Sequence, residues 1–395
     1  MSWRELQLSD GIHVKHGFAF KGEYFASSGE YMVLTPGNFL EKGGFRVRDG
    51  KERFYHADFP EDYLLAEGDL IVAMTEQGEG LLGSAARIPA EGKYLHNQRL
   101  GLVQVVNPEL LDKRFLYWVF NSSPVRAQIR ATATGAKVKH TAPERIKKVR
   151  FMAPELREQQ AVAFVLDSYD DLIATNQRRI ALLEDAARRL YREWFVQLRF
   201  PGHESVPLRD GVPEGWRRDT LDQALFLQRG FDLPNGNRVP GDVPVYASTG
   251  VNGYHNVAKV DGPGVVTGRS GTLGAVHYVA QDFWPLNTSL WVKEFRAVSP
   301  LVAYFMLAEL GLEQFNSGAS VPTLDRKVAH QIPVLIPERN VVSAFDERVQ
   351  PLFHQVQILR KSNESTAQAR DRLLPKLMSG QLNVSSIPLP DEVSV

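Results

Sequence analysis

Gly135-Ala136-Lys137-Val138 recurs 183 positions later as Gly318-Ala319-Ser320-Val321, and the same shift carries Pro154-Glu155 onto Pro337-Glu338 and Arg189-Leu190 onto Arg372-Leu373. The identities are few, yet the apolar frame survives without a gap over about sixty positions. In the first copy Val162, Leu166, Tyr169, Ile173, Asn176, Ile180, Leu183, Ala187, Leu190 and Trp194 step by alternating fours and threes, the spacing of a heptad seam. In the second copy the same steps land on Phe345, Val349, Leu352, Val356, Leu359, Asn363, Thr366, Arg370, Leu373 and Leu377. This seam is weaker, because Asn363, Thr366 and Arg370 are polar. One such stripe is explained by a helix packed on its own domain. Two copies in one chain offer each other a matching surface, and pairing removes both stripes from water. The expected fold is therefore α+β: two mixed α/β units separated by a pair of long antiparallel coiled-coil helices that arise from an internal repeat.

Working outward, the two units open alike at a wider offset. Trp3, Leu6, Leu8 and Gly17-Phe18 correspond to Trp216, Leu221 and Gly230-Phe231. In the first unit Gly68-Asp69 precedes the apolar run Leu70-Ile71-Val72-Ala73, a turn before a buried strand. A further strand is expected at 100–106 and a helix at 114–129. The second unit is turn-dense, with short strands expected at 264–267, 276–279 and 289–292. In the helical stretches, Asp167 reads as the cap of a fresh helix starting at Ser168. The counterpart of Ser168 is Pro351, which suits a first helical position, so each stretch should be a short helix, a break and a helix of about 30 residues, about 45 Å long. Residues 203–215 look like a linker and those after Gly380 like a loose tail. Asn176 either fixes register inside the seam or lies at its solvent edge. Tyr191, Trp194 and Phe195 offer more aromatic surface than one partner helix needs, for burial in the second unit or for docking another subunit.

Composition excludes several classes. The 395 residues have room for two or three domains, 43% of them are hydrophobic, and no run approaches the roughly 18–20 apolar residues of a membrane span. The start Met1-Ser2-Trp3-Arg4-Glu5 has no hydrophobic signal segment, so a cytoplasmic location is expected. With no cysteine there is no disulfide, thiol nucleophile or Cys-based zinc site, and the ten histidines lack metal-site spacing. No catalytic or metal-binding residue is assigned. Gly78-Glu79-Gly80-Leu81-Leu82-Gly83 matches a dinucleotide-binding pattern, but Pro89 cuts short any following helix and no acid stands about twenty residues on. It reads as a glycine-rich loop. The formal net charge is zero, yet Arg126, Arg130, Lys137, Lys139, Arg145, Lys147, Lys148 and Arg150 face only Glu144 over residues 126–150. That local excess suits a phosphate backbone or a solvated helix end.

Two variable units, each followed by a similar helical segment, resemble the specificity subunit of type I restriction-modification enzymes. The more characteristic strings are Phe283-Trp284-Pro285-Leu286-Asn287-Thr288, the ending Leu373-Leu374-Pro375-Lys376-Leu377-Met378-Ser379-Gly380, and the stretch from Arg157-Glu158-Gln159-Gln160 to Trp194-Phe195. The resemblance covers the whole chain. It implies target recognition domains at 1–152 and 201–336, a central helical spacer at 153–200, a C-terminal one at 337–380, and a tail at 381–395. Each domain would read one half of a bipartite target in double-stranded DNA. The helices would act as a ruler spanning about 13 base pairs and would dock two modification subunits, joined for restriction by motor and nuclease subunits. S-adenosylmethionine would come with the modification subunit, ATP and Mg with the restriction subunit, and nothing would be bound by this chain. In agreement, the chain lacks an Asn-Pro-Pro-aromatic or Asp-Pro-Pro-aromatic methyltransferase motif and a Gly-x-x-x-x-Gly-Lys-Ser/Thr phosphate loop.

Base contacts need donors and acceptors on loops, and phosphate contacts need Lys and Arg. The first-unit candidates are Lys15, His16, Arg46, Arg48, Lys51, Arg53, Gln77, Lys137, Lys139 and His140. Those of the second are Arg229, Asn235, Arg238, Ser248, Asn252, Tyr254, Arg269, Thr272 and Ser320. Arg269, with glycines around it, is the foremost, and a salt bridge to Asp282 is its ordinary explanation. The rival reading is a duplicated scaffold or adaptor that never meets DNA, and a hydrolase comes third.

Overall fold

The computed structural model describes residues 3–389 except 49, 77–79 and 91. The chain divides into two compact units, Met1–Ile173 with Glu364–Val395, and Ala174–Asn363.

In the first unit β1 (Arg4–Gln7) pairs antiparallel with the strand Arg150–Ala153. Its main sheet is built from β2 (Ile12–His16), β3 (Leu70–Ala73), β4 (Ala85–Arg87) and β5 (Leu100–Val105), in the order β2-β5-β3-β4. The four residues of β3 are all buried, as a continuous apolar run between a glycine turn and a loop requires. Helices Lys113–Asn121 and Ser123–Ala131 cover one face. They replace the single helix expected at 114–129, because Pro124 cannot donate to a continuing ladder and Ser122 takes an extended conformation between them.

In the second unit the strand Arg217–Thr220 pairs with Pro333–Ile336. The main sheet uses β6 (Leu225–Arg229), β7 (Gly264–Gly268), β8 (Val276–Val279) and β9 (Ser289–Phe295), in the order β6-β9-β7-β8. This is the first unit's order repeated. A satellite sheet repeats too: Val33 pairs parallel with Leu95 in one unit and Val245 with Trp284 in the other.

The helical stretches are unbroken, running over Leu156–Tyr191 (36 residues) and Arg339–Met378 (40 residues). They correct the expected break. Asp167 caps nothing: its carboxylate, 3% exposed as a residue, accepts from Arg87 Nη2 at 2.9 Å, Arg114 Nε at 2.7 Å and Trp118 Nε1 at 2.8 Å. Pro351 lies inside its helix, where its missing N–H and ring cost about 3 kcal/mol. Val349, Phe353 and Val356, all buried in the flanking turns, hold the helix across it.

Every seam position is less exposed than the solvent face of its helix. Leu166, Asn176, Val349, Val356 and Leu359 are buried, while Tyr169, Ile173, Ile180, Leu183, Leu190, Leu352 and Leu373 are half-buried. Inside the second unit Asn176 Nδ2 donates to Asn363 Oδ1 at 2.9 Å, and Arg360 Nη2 to Glu184 Oε1 at 2.6 Å. Partner numbers fall as helix numbers rise, the mark of an antiparallel pair. In the first unit Arg370 bonds Asp170 and Asp371. Tyr191, Trp194 and Phe195 are buried in the second unit's core with Trp216, Phe305 and Phe345. The architecture is two mixed α/β domains linked by long paired helices. Of the expected loose tail, residues 390–395 lie outside the described residues, and the part before them is anchored: Val384 is 5% exposed in the first unit's core, and Arg157 Nη1 donates to Ser385 O at 2.7 Å.

Candidate nucleic-acid interface

At one end of each main sheet the same turn is built twice, bond for bond. Gly17 N donates to Leu100 O and Phe18 N to His96 O; in the second unit Gly230 N donates to Ser289 O and Phe231 N to Pro285 O. Met74 N reaches Arg99 O as Arg269 N reaches Thr288 O. Thr141 N then donates to Met74 O, and Leu324 N to Arg269 O. These last two bonds bring a finger, closed by the bridges Thr134↔His140 and Asn316↔Leu324, against each sheet end. The repeated Gly-x-x-Val sits at its tip. A Cβ on Gly135 would lie 2.0 Å from Val138 O, and one on Gly318 2.0 Å from Val321 O, so any larger residue must open the finger.

The first finger carries Lys137, Lys139 and His140, all exposed, and Lys139-His140 pairs with Thr75-Glu76. A cleft of about 390 Å³ beside it is lined by Glu76, Arg130, Lys137 and Lys139. Exposed His16 ends β2, with Nδ1 3.1 Å from Gly17 O. Lys15 is half-buried, donating to Asp62 O at 2.8 Å beside the Tyr63 ring. Arg46, Arg48, Lys51 and Arg53 lie apart on a separate loop, where Arg46 Nε holds Gly37 O at 2.9 Å, Arg48 packs over Gly37 and Arg53 lies over Phe25. Gln77 lies outside the described residues.

In the second unit Arg229, Arg269, Thr272 and Ser320 gather at the sheet end and its finger. Arg269 Nη1 donates to Asn287 O at 3.0 Å rather than pairing with Asp282, whose carboxylate takes Gly262 N. Arg238 bonds both the backbone and the side chain of Asn252, and Asn235 begins the short turn before it. Tyr254 is half exposed on the neighbouring hairpin. Ser248 is 7% exposed under Gly271, too deep to meet a base edge.

The basic run 126–150 is largely spent on the fold. Arg126, 9% exposed, donates to the carbonyls of Glu41, Gly80 and Leu82, and burial brings its pKa down to about 10. Arg145 holds Thr132 O, Lys147 pairs with Glu144, and Arg150 pairs with Glu5. Among the described residues, Lys137, Lys139 and Lys148 have no carboxylate within ion-pair reach. Gly78 and Glu79 of the glycine-rich loop lie outside the described residues, and the rest of it turns on the chain itself: Gly80, Leu81 and Leu82 donate their N–H groups to Glu76 Oε2 at 3.1, 2.9 and 2.7 Å. A carboxylate of the chain occupies the place of a phosphate, and the next element is a strand, not a helix. Asp232 and Asn287, absent from the sequence candidates, join Arg229 and Arg269 at the second sheet end.

Among the described residues no His, Asp or Glu cluster could hold a metal ion, and no helix is long and apolar enough to cross a membrane. One framework is built twice and presents a different polar surface each time. The family model described as type I restriction modification DNA specificity domain matches residues 2–185. Relatives include the type I restriction enzyme MjaIX specificity subunit of Methanocaldococcus jannaschii, 23% identical over 73% of each chain. The EcoBI specificity subunit of Escherichia coli is 21% identical over 96% of this chain and 86% of that one. In fold, the chain is similar to the type I restriction-modification S subunit from M. genitalium, with a TM-score of 0.59 over 95% of this chain and 96% of that one at 17% identity. By family model over its first half and by these relatives, the chain is similar to the specificity subunits of type I restriction-modification systems, and it shares their fold.

Proposed function

We infer that each unit reads one half of a bipartite, gapped target in double-stranded DNA. Residues 1–152 and 201–336 are the two target recognition domains. The helical segments 153–200 and 337–380 set the interval between half-sites and dock two modification subunits. These bring S-adenosylmethionine for adenine methylation, and restriction subunits bring ATP and Mg; this chain supplies sequence choice alone.

The observation that carries the reading is the twice-built sheet end with its finger. Equivalent backbone positions hold His16, Met74, Lys137 and Lys139 in one unit and Arg229, Arg269, Ser320 and Pro322 in the other. A duplicated frame with separately variable surfaces suits a target whose halves differ, with exposed Lys137 and Lys139 meeting phosphate and the sheet-end side chains meeting base edges.

The test is a genome-wide map of methylated adenine in cells making this chain with its modification subunit, compared with the modification subunit alone. A gapped two-part motif that needs this chain is expected. If both proteins are made and associate but no new motif appears, the reading fails and a protein-binding adaptor takes its place.

A further inference from the structure

The second unit's sheet end holds an acid where a phosphate-binding surface has no use for one. Asp232 Oδ1 lies 3.5 Å from Arg229 Nη2 and accepts from Asn287 Nδ2, while Arg269 Nη1 donates to the Asn287 backbone oxygen at 3.0 Å. The side chains of Arg229 and Asp232 are 50% and 68% exposed, and an ion pair so open to water adds almost nothing to folding stability. A carboxylate there also repels the DNA backbone. Its chemistry fits base edges: guanidinium for guanine O6 and N7, carboxamide for adenine N6 and N7, and carboxylate for a base amino group or for aiming the first two.

The other unit supplies the comparison. Matching backbone bonds place His16 at the position of Arg229, Ala19 at Asp232, Gln98 at Asn287 and Met74 at Arg269. The frame is kept and all four side chains differ, so the cluster is not needed to build the fold. We propose that Asp232 and Asn287 act with Arg229 and Arg269 as the base-reading set of the second unit, Asp232 aiming Arg229 and Asn287 into the groove. This rests on the DNA-reading function inferred above.

The test maps methylated adenine for the full chain with its modification subunit, comparing wild type with Arg229→Ala, Asp232→Ala, Asp232→Asn and Asn287→Ala. Asp232→Ala and Arg229→Ala should relax the same position of one half-site, with discrimination falling about ten- to hundredfold, and leave the other half unchanged. Asp232→Asn, which keeps the volume and removes the charge, should relax that position too. Variants that keep the wild-type motif, whether at full or at uniformly reduced methylation, overturn the proposal while leaving the DNA-reading function standing. A wild-type chain that yields no motif defeats that function itself.

Discussion

Replacing Asp167 with alanine removes the acceptor of three donors at once. The Trp118 N–H, buried in the first unit's core, loses a bond to an ionised group, worth about 1.5–3 kcal/mol. Arg87 and Arg114 are 31% and 37% exposed, so water screens their ion pairs to roughly 0.5–1 kcal/mol each. The expected loss is about 2.5–5 kcal/mol, confined to the first unit. Hydrogen exchange followed by mass spectrometry reads it locally: peptides around Trp118 should exchange roughly two to four orders of magnitude faster, while peptides from 217–229 keep their protection. Were Asp167 a helix cap, alanine would cost about 1 kcal/mol and loosen only the turn that follows it. Protection around Trp118 within about threefold of wild type would refute the argument.

Three further outcomes are expected. His96 is fully buried, and burial lowers its pKa from 6.5 to about 4. Between those values the unfolded chain binds a proton that the folded unit refuses, so stability is complete above about pH 6.5 and falls as the pH drops towards 4, by at most roughly 3 kcal/mol; denaturant midpoints across that range should slope for wild type and flatten in His96→Gln. Gly318→Ala forces the second finger open, at a cost of about 1–3 kcal/mol, and limited proteolysis should cut at 316–324 in the variant first. Asn363→Leu takes the acceptor from the 3% exposed Asn176 and should destabilise by about 1–3 kcal/mol, whereas adding Asn176→Leu should recover most of it, measured as a double-mutant cycle by thermal melting.

Much of this fold was legible because it rests on periodicity. The heptad steps mark residues that face inward on both long helices, and runs such as 276–279, bounded by turn residues, mark strands. What sequence does not carry is direction. Arg126 and Lys137 belong to one basic run, but Arg126 turns inward to three carbonyls while Lys137 stands on an exposed finger. Asp167 has the composition of a cap, and its partners lie 49 to 80 residues away. Pro351 looks like a helix start because local propensity ignores the buried neighbours that hold the helix through it. Ser248 has the right chemistry for a base contact and the wrong depth.

The most direct test of the central claim exchanges residues 217–336 for the corresponding segment of a relative with a different target and maps methylated adenine beside the parent. Reading by two independent units predicts that one half of the motif changes to the donor's, while the other half and the gap stay as they were. A motif altered in both halves, or unaltered in both although the hybrid assembles with its modification subunit, would contradict it.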